Sequence, residues 1–530
     1  MNNQNNTLTN RKIKFSFLTK FPIHQLIIII FTLVAYFNVT SFDLIEFDDK
    51  NIIESAKNID ESTLNLIFAK DPYFKSDKAS TFYRPVQNAT ILIDSFLRGN
   101  DYSIFHLTNL LIHIITALSL YYLFQNLKYN PLTSLLSTTI FALHPLFTFN
   151  VAWIPARGDM LLALFAILTF TFFVKYLEGK KNLSLVISTI FLQLAVFSKE
   201  SGLLIPLILF SYYLFKKKSN TKNVIPAVIC WIFVVAIFFT LKSLLLPNSI
   251  TSINTNLNEL VVNLRYFPEY LSKFFMPINL SGMNQFSDKT IYIGFGFISL
   301  LALVLILMRK RLRTANIVIS IIWFIIFLLP VIFYKQSYLQ TGEYWEHRSY
   351  LPLIGLILLL SEIFYQFKVS QRTIVNILAV VSVVFLTLTI KTSPHYSNAF
   401  NFFNNIIEKG TTLPNAYFSR GTIYADRGDN YNAMSDFNRA ISLKDNYWEA
   451  YFKRGIINRK NSNIDAAIND FKKSVHIKTD MEDAYVNLAV CFYSKADYIL
   501  AKNYLLKAIQ INPKDQRAKD MFKSLEKKLQ

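Results

Sequence analysis

Long apolar segments separated by short polar connections recur through the first 390 residues of the chain. Most of them are long enough for a helix to cross a hydrocarbon core of ~30 Å. Eleven such segments are found, at 23–40, 104–127, 132–150, 160–177, 183–197, 203–215, 224–246, 291–308, 317–334, 350–367 and 373–390. The pattern predicts a polytopic, all-α membrane domain of about eleven transmembrane helices over residues 1–395.

Two stretches of this domain allow another interpretation. The fifth and sixth apolar segments are short and separated only by residues 198–202, so the pair is predicted to form a hairpin whose tip dips into the membrane. Residues 257–280 are moderately apolar but carry Arg265, Glu269 and Lys273. We expect an interfacial or re-entrant helix there rather than another span.

Beyond residue 395 the apolar runs give way to a repeat of 34 residues. Small and aromatic positions recur at this spacing, as in Gly421/Gly455/Ala489, Ala433/Ala467/Ala501 and Phe437/Phe471/Leu505. The period and the pattern are typical of tetratricopeptide (TPR) repeats, in which pairs of antiparallel helices stack into a solenoid. The sequence predicts a TPR α-solenoid over 396–530, with repeats at 414–446, 447–480 and 481–514 and a capping helix at 516–529.

The positive charge of the chain bears on topology. The net charge of +20 could suggest a nucleic-acid partner, but much of it lies in short clusters at the ends of apolar segments. A cationic cluster at 11–20 precedes the first segment, which predicts a cytoplasmic N-terminus. With eleven spans every later cluster also falls on the cytoplasmic side. The TPR domain and a long first loop at 41–103 are then predicted to be extracytoplasmic, and no nucleic-acid partner is expected.

Composition excludes several classes of site. Only Cys230 and Cys491 are present, so neither a disulfide framework nor a cysteine metal site is indicated. No Gly-rich phosphate loop, zinc-protease motif or nucleophile elbow occurs. We expect no cofactor; a divalent metal is compatible with the sequence, but no residue pattern indicates one.

Ionisable and polar residues gather on the predicted external side of successive segments. Such groups at membrane depth are costly to bury and are therefore candidates for function. They are Asp48, Asp49, Arg84, His144, Arg157, Asp159, Lys199, Glu200, His347 and Arg348. A carboxylate near a low-dielectric wall can act as a general base towards a hydroxyl, and arginine binds phosphate through paired hydrogen bonds. The set fits transfer of a group from a lipid-linked phosphate to an external acceptor.

Each member also has a structural interpretation. Arg157 and Asp159 could form an ion pair that braces the spans, and Lys199 and Glu200 could form a local pair in a tight turn. His106 and His113 lie two helical turns apart on one face of the second segment. For these histidines a packed, hydrogen-bonded role is favoured over metal ligation.

Short motifs in this order resemble those of the TPR-containing transmembrane O-mannosyltransferases and their bacterial relatives. The motifs are Phe47-Asp48-Asp49, Tyr83-Arg84-Pro85, Leu143-His144-Pro145, Trp153-Ile154-Pro155-Ala156-Arg157-Gly158-Asp159, Ser198-Lys199-Glu200 and His347-Arg348-Ser349-Tyr350-Leu351-Pro352. The resemblance covers residues from about 40 to 360, and the repeats that follow match the family's architecture.

This resemblance implies an inverting GT-C type glycosyltransferase of the bacterial inner membrane. Its donor would be a polyprenyl-phosphate sugar, commonly mannose, and its acceptor a hydroxyl of a protein or peptide. The catalytic carboxylate would be Asp48 or Asp49, with a slight preference for Asp48. Arg84, Arg157 and Arg348 would bind the donor phosphate.

The TPR array is predicted to bind the acceptor or a partner protein, since such arrays commonly bind peptides on their concave face. Bracing of the membrane domain and dimerisation are the alternatives. Two competing functions for the whole chain are a non-catalytic, membrane-anchored scaffold for envelope assembly and a transporter of lipid-linked sugars. An anchor needs one span rather than eleven, and no inverted repeat typical of transporters is detected.

Overall fold

The computed structural model describes residues 21–45, 49, 52–53, 82–97, 102–179, 182–216, 224–246, 257–285, 289–333 and 343–529. Contacts divide the chain into two compact units, Met1–Asn398 and Ala399–Gln530. We call them the membrane unit and the repeat unit. The cationic cluster at 11–20 and Asp48 lie outside the described residues.

The described part of the membrane unit is almost entirely helical. Its helices are α1 (Phe21–Tyr36), α2 (Pro85–Leu97), α3 (Ser103–Asn126), α4 (Pro131–Leu143), α5 (Thr148–Ala152), α6 (Arg157–Gly179), α7 (Asn182–Ser198), α8 (Ile205–Phe215), α9 (Ile225–Leu245), α10 (Leu257–Asn263), α11 (Tyr266–Phe275), α12 (Thr290–Met308), α13 (Thr314–Phe333), α14 (Tyr350–Gln366) and α15 (Gln371–Thr392). Short 3₁₀ turns lie at Phe37–Ser41, Pro145–Phe147, Ile154–Ala156, Glu200–Leu204, Glu346–Ser349 and Ser393–Tyr396. Two three-residue strands, β1 (Met283–Gln285) and β2 (Glu343–Trp345), pair antiparallel, with Asn284 opposite Tyr344.

All eleven predicted apolar segments are helical, which confirms the fold class. Among the described residues, eight helices are long and apolar enough to cross a membrane, and α4 with α5, bent by 45° at His144, gives a ninth. The helices at Asn182–Ser198 and Glu200–Phe215 are shorter. The span count of eleven therefore stays a prediction.

Residues 257–280 fold as two short helices rather than one long one. α10 and α11 have 7 and 10 residues and are separated by a turn. A 10-residue helix extends only ~15 Å, half of a hydrocarbon core. This stretch therefore does not cross as a single helix, in keeping with the interfacial or re-entrant prediction.

A buried clasp joins the C-terminal part of α14 to the connection before α13. Glu362 accepts hydrogen bonds from the Arg313 guanidinium, with the shorter N–O distance 2.5 Å, and from the Tyr129 hydroxyl at 2.8 Å. Asn316 donates to the same carboxylate oxygen at 2.9 Å. Glu362 lies ~20 Å along the helix from the end at which His347 and Arg348 lie. The clasp therefore braces the membrane unit far from the candidate site.

The two histidines of α3 are packed inside the helical bundle. The His113 ring is hydrogen-bonded to the Tyr350 hydroxyl at 2.7 Å and to the Ala142 carbonyl at 3.0 Å. The His106 ring lies against Phe42, edge to face, with centroids 6.4 Å apart. His113 thus ties α3 to α4 and to α14, as a structural role requires.

The repeat unit is a succession of helix pairs in which small residues face aromatic rings. Its helices are α16 (Ala399–Glu408), α17 (Pro414–Asp426), α18 (Asn430–Leu443), α19 (Trp448–Lys460), α20 (Ile464–Ile477), α21 (Glu482–Ser494), α22 (Tyr498–Ile511) and α23 (Gln516–Leu529). A Cβ atom added at Gly455 would lie 2.8 Å from the Phe471 ring, and one at Gly421 would lie 3.0 Å from the Phe437 ring. Glycine is required at both positions because the paired helices approach so closely there.

A repeated ion pair reinforces the first two helix pairs. Arg420 binds Asp436 through two nitrogens, at 2.8 and 2.9 Å, and Arg454 binds Asp470 in the same way, at 3.0 and 2.6 Å. Each arginine lies on the first helix of a repeat and its aspartate on the second. The 34-residue period is thus carried by polar as well as apolar positions.

The periodicity begins earlier than the sequence analysis placed it. Ala399 and Phe403 of α16 stand 34 residues before Ala433 and Phe437 and are buried like them. Arg420 also donates to Asn404 of α16 at 2.8 Å. α16 therefore occupies the place of the second helix of a preceding repeat.

Candidate functional site

Adjacent residues in the turn between α7 and α8 each form an ion pair. The Lys199 amine lies 2.6 Å from the Asp159 carboxylate on α6. The neighbouring Glu200 accepts two hydrogen bonds from the Arg84 guanidinium, at 3.0 and 3.1 Å, and one from the Tyr83 amide at 3.1 Å. Adjacent residues of one turn thus bind partners on two other parts of the chain, and the local Lys199–Glu200 pair considered from the sequence is wrong.

Backbone geometry at this turn explains the divergence of the two side chains. Lys199 is extended, with φ −160° and ψ 142°, and a 3₁₀ turn begins at the next residue. A Cβ added at Gly202 would lie 2.8 Å from the backbone of Ala195, so the chain folds back on α7 more closely than a side chain allows. The tight turn therefore needs glycine at 202.

Arg348 belongs to the same electrostatic neighbourhood. It lies in the 3₁₀ turn that connects β2 to α14. Burial lowers the pKa of the Lys199 amine, Asp159 raises it, and the charges of Arg84 and Arg348 lower it further. Three cations, Arg84, Lys199 and Arg348, thus interact electrostatically, and with Asp159 and Glu200 we call this group the cation cluster. Its named side chains have a formal charge of +1, which suits an anionic ligand.

Arg157 is placed differently from the cation cluster. Its side chain is completely buried, and one guanidinium nitrogen lies 2.6 Å from Asp94 of α2. The other two nitrogens donate to Asn109 and to the Phe105 carbonyl, each at 2.8 Å. The predicted Arg157–Asp159 pair is therefore wrong, because Asp94 is the partner of Arg157 and Lys199 that of Asp159. With all three nitrogens engaged inside the protein, the geometry favours a bracing role for Arg157 over phosphate binding.

Gly158 allows α2 to approach the start of α6 closely. A Cβ at this position would lie 2.4 Å from the Gln87 side-chain oxygen. Gln87 donates through its nitrogen to the Pro155 carbonyl at 3.3 Å. The motif around residues 153–159 thus docks α2 against the start of α6, between Arg157 and Asp159.

His144 holds the bend between α4 and α5. Its Nδ1 accepts a hydrogen bond from the Leu146 amide at 3.2 Å, and its Nε2 is bonded to the Phe274 carbonyl at 2.8 Å. The ring also stacks on Phe274, with planes 12° apart. Both nitrogens are therefore used to join the bend to α11.

A buried acidic network positions the turn that carries His347 and Arg348. The Glu346 carboxylate accepts from the amides of Ser281 and Gly282, at 3.3 and 3.0 Å, and from the Asn284 side chain. A second buried carboxylate, Glu269, accepts from the hydroxyls of Tyr344 and Thr290 at 2.7 and 2.8 Å and lies 3.8 Å from the Lys273 amine. The sequence analysis did not identify this network as part of the site. The only sequence signal for this network was the presence of acidic residues next to apolar segments.

Of the two candidate bases, Asp49 is described by the structure. It is fully buried, and its Oδ2 accepts the Ile45 amide at 2.8 Å, so one carboxylate oxygen is used by its own loop. Asp48 lies outside the described residues. No group of three or more potential metal ligands occurs in the described part of the chain.

His347 lies among aromatic rings beside the cation cluster. Its ring is 7% exposed and packs with its centroid 4.8 Å from that of Trp153. The positive charges of Arg348 and Lys199 both interact electrostatically with the His347 ring. Ion pairs and electrostatic interactions thus link Arg84, Asp159, Lys199, Glu200, His347 and Arg348, whereas Arg157 and His144 are bonded to other buried groups.

An apolar cavity of about 260 Å³ lies between α11, α12, α13 and α14. Its wall includes Phe267, Leu271, Leu301, Phe324, Gly355 and Leu359, and Ser320 is its one polar side chain among the lining residues. Gly355 keeps the cavity narrow on one side, since a Cβ there would lie 2.6 Å from the backbone of Phe324. The chemistry of the wall suits a hydrocarbon chain.

Both units contain stretches that match known protein families. A family model described as dolichyl-phosphate-mannose-protein mannosyltransferase matches residues 85–243, and a tetratricopeptide-repeat model matches residues 414–447 and 482–515. The chain thus combines a stretch similar to a protein mannosyltransferase domain with tetratricopeptide repeats. The resemblance found from the sequence motifs is thereby confirmed.

Curated relatives carry the same description. The chain is 29% identical over 171 residues to protein O-mannosyl-transferase TMTC4 of Homo sapiens, covering 28% of the chain and 23% of the relative. It is 23% identical over 429 residues to protein O-mannosyl-transferase F38B6.6 of Caenorhabditis elegans, covering 76% and 60%. The chain therefore spans between about a quarter and three fifths of the length of these relatives. A solved structure of MamA protein is 21% identical over 26% of the chain, and its TM-score of 0.24 is too low to support a conclusion about this fold.

Proposed function

We propose that the chain is a membrane glycosyltransferase that moves a sugar, with mannose the first to test, from a polyprenyl-phosphate donor to a hydroxyl of a protein or another acceptor. The observation that carries the proposal is the cation cluster of Arg84, Lys199 and Arg348. Lys199 lies within the region that matches the mannosyltransferase family, Arg84 directly precedes it, and Arg348 lies beyond it. Cations held around one point stabilise the charge that develops on a departing phosphate.

The chemistry is a single displacement at the anomeric carbon. Asp48 or Asp49 accepts the proton of the acceptor hydroxyl while its oxygen attacks the anomeric carbon. The bond from that carbon to the phosphate oxygen breaks, the configuration inverts, and polyprenyl phosphate leaves with the electron pair. Because Asp49 already uses one carboxylate oxygen in its own loop, Asp48 is the preferred base.

Each cation has a distinct part in binding the phosphate. Glu200 and Asp159 fix the side chains of Arg84 and Lys199 in position, so both cations are oriented before a ligand arrives. Arg348 follows the buried Glu346, which anchors its turn to Ser281 and Gly282. The phosphate would therefore meet a preorganised group.

The donor's lipid chain would occupy the apolar cavity between α11 and α14. The cavity's α14 residues, Gly355 to Leu359, follow Arg348 by 7 to 11 residues. That is ~10–16 Å along a helix. A chain leaving a phosphate at Arg348 could reach this depth with two or three isoprene units.

The membrane orientation follows from charge. We place the N-terminus in the cytoplasm, the cation cluster and the repeat unit on the extracytoplasmic face, and the protein in a bacterial inner membrane. Cationic side chains at 309–313, near the Glu362 clasp, fall on the opposite side from Arg348 in this arrangement. The repeat unit would then share a compartment with the site and bind the acceptor or a partner protein.

Transfer of labelled sugar tests the proposal. Membranes containing the full chain are incubated with labelled polyprenyl-phosphate mannose, glucose or galactose and an extract of envelope proteins, and labelled protein is recovered. Arg348→Ala is expected to lower transfer about 100-fold or more, since removing one donor to a developing oxyanion costs about that much. Arg309→Ala, an exposed cation at the far end, is the matched control and should transfer normally.

The base is tested in the same assay with Asp48→Asn, Asp49→Asn and the double variant. Loss with Asp48→Asn and partial activity with Asp49→Asn is the expected pattern. Undiminished transfer by the double variant would exclude both as the base. Removing residues 399–530 should abolish transfer to protein while a small hydroxyl acceptor is still used, if the repeat unit binds acceptors.

A further inference from the structure

Three aromatic rings form a parallel layer next to the cation cluster. Phe149 and Trp153 come from α5 and the residue after it, and Trp345 ends β2. Their planes are within 9° of one another, and the ring centroids are 5.1, 5.4 and 6.2 Å apart. We call these three rings the aromatic layer.

His347 lies on this layer at a steep angle. Its ring centroid is 4.8 to 5.8 Å from all three rings, and its plane is inclined by 60 to 63°. The Asn150 side chain donates to the His347 carbonyl at 2.9 Å, which fixes the backbone of the turn against α5. Asn150, Trp153 and His347 therefore form one contact group.

Each of these three residues has a buried polar atom that lacks a hydrogen-bond partner within the described part of the chain. The atoms are the Asn150 Oδ1, the Trp153 Nε1 and the His347 Nδ1. The side chains are 0, 6 and 7% exposed. Buried polar atoms are almost always satisfied in native proteins, so unsatisfied atoms on three neighbouring residues point to a ligand that supplies the missing bonds.

The combination of groups restricts the chemistry of that ligand. Trp153 offers a donor, Asn150 an acceptor, and the imidazole nitrogen either one, so the ligand must present groups that both donate and accept, as hydroxyls do. The three parallel rings are offset-stacked, so the surface available to the C–H face of a sugar ring is the outer face of a ring at the end of the stack. Arg348, the residue after His347, acts electrostatically on the His347 ring and is one of the cations proposed to bind the phosphate.

We propose that Asn150, Trp153 and His347 form the subsite that binds the sugar ring of the donor. This inference rests on the proposed function, because it takes the phosphate at the cation cluster to be that of a glycosyl donor. Trp153 and His347 would then determine which hexose is accepted, since hydroxyl positions differ among hexoses while the phosphate does not.

Binding of two matched lipids to the purified full chain tests the subsite. One is polyprenyl-phosphate mannose, with the glucose and galactose donors in parallel; the other is polyprenyl methyl phosphate, a diester of equal charge without a sugar. The wild-type chain is expected to bind the best sugar donor at least about tenfold more tightly than the methyl diester. Trp153→Phe, which keeps a ring in the layer but deletes the N–H, should reduce this ratio roughly two- to tenfold.

The control and the second variant keep the inference falsifiable. Trp448→Phe, in the repeat unit, removes an indole outside the site and should leave the ratio unchanged. His347→Phe keeps a ring on the layer without its nitrogens and should lower the ratio as Trp153→Phe does. If Trp153→Phe also loses binding to the methyl diester, that variant has failed to fold, and His347→Phe alone then tests the subsite. A wild-type ratio near one, or ratios in both site variants equal to that of Trp448→Phe, would overturn the subsite and indicate buried water or acceptor binding there.

Failure of the subsite is distinguishable from failure of the proposed function. Sugar transfer without a ratio that depends on Trp153 or His347 retains the function and overturns the subsite. A ratio that depends on these residues in a chain that transfers no sugar retains the subsite and overturns the transferase.

Discussion

The buried pair of Arg157 and Asp94 allows a bracing role to be separated from a phosphate-binding one. We consider Asp94→Leu, Arg157→Met and the double variant. Asp94→Leu removes the carboxylate from a guanidinium that is 0% exposed and leaves its hydrogen bonds to the neutral groups of Asn109 and Phe105. Removing one member of a buried ion pair in this way typically costs about 3–5 kcal/mol. Arg157→Met should cost a similar amount, because it leaves the Asp94 carboxylate buried.

The double variant removes both charges, so its loss of unfolding free energy should be much smaller than the sum of the losses in the two single variants. It leaves three neutral groups short of one bond each, on Asn109, on the Phe105 carbonyl and on Thr108, which donates to Asp94 at 2.7 Å. At about 1 kcal/mol for each group the expected cost is roughly 3 kcal/mol. The two single variants would together predict about 6–10 kcal/mol.

Unfolding of the full chain by SDS titration in mixed micelles measures these free energies. A coupling energy of at least about 3 kcal/mol between positions 94 and 157 is the expected result. Additive costs would refute the buried-pair argument. The double variant should also retain most sugar transfer if Arg157 only braces the site; a folded double variant with transfer reduced as far as in Arg348→Ala would instead assign Arg157 to the phosphate.

Three further predictions concern packing, capping and the distant clasp. Gly455→Ala places a Cβ 2.8 Å from the Phe471 ring, so an overpacking cost of about 1–3 kcal/mol should exceed the gain of about 1 kcal/mol in helix propensity. Thermal unfolding of residues 399–530 should therefore occur at lower temperature. Unchanged or higher stability would contradict the contact. Asp497→Ala deletes the cap that accepts the Leu500 amide at 3.0 Å and should cost about 1 kcal/mol in the same assay, whereas Asp497→Asn should recover most of it. Glu362→Ala should destabilise the membrane unit by about 3–5 kcal/mol in SDS titration, while transfer per folded molecule stays near wild type; selective loss of transfer would link the clasp to the site.

The helices of both units could be predicted from the sequence because each produces a periodic or continuous pattern. All eleven apolar runs of the membrane unit proved to be helical, and the spacing of Gly421 and Gly455 predicted the paired helices of the repeat unit. Hydropathy also identified the short, polar-interrupted stretch at 257–280 as something other than a span, and it folds as two short helices. Such patterns depend on local sequence, which is why they were readable.

The pairing of charges could not be predicted, since a sequence does not state which segments meet. Lys199 and Glu200 are neighbours in the chain, yet their partners lie 40 and 116 residues away. Asp94 lies on α2, a helix within a stretch predicted only as a folded loop, so the true partner of Arg157 was not considered. The residues chosen for the site were largely brought together, but their roles depend on contacts between distant segments.

The position of α16 has a practical consequence for preparing the soluble part of the protein. The first repeat predicted from the sequence and the family match both begin at residue 414, which suggests cutting there. Such a cut would strip α17 of the helix that packs on it, remove the buried rings of Phe402 and Phe403, and deprive Arg420 of Asn404. A fragment beginning at residue 399 keeps these contacts and should be the one that stays monodisperse at high concentration.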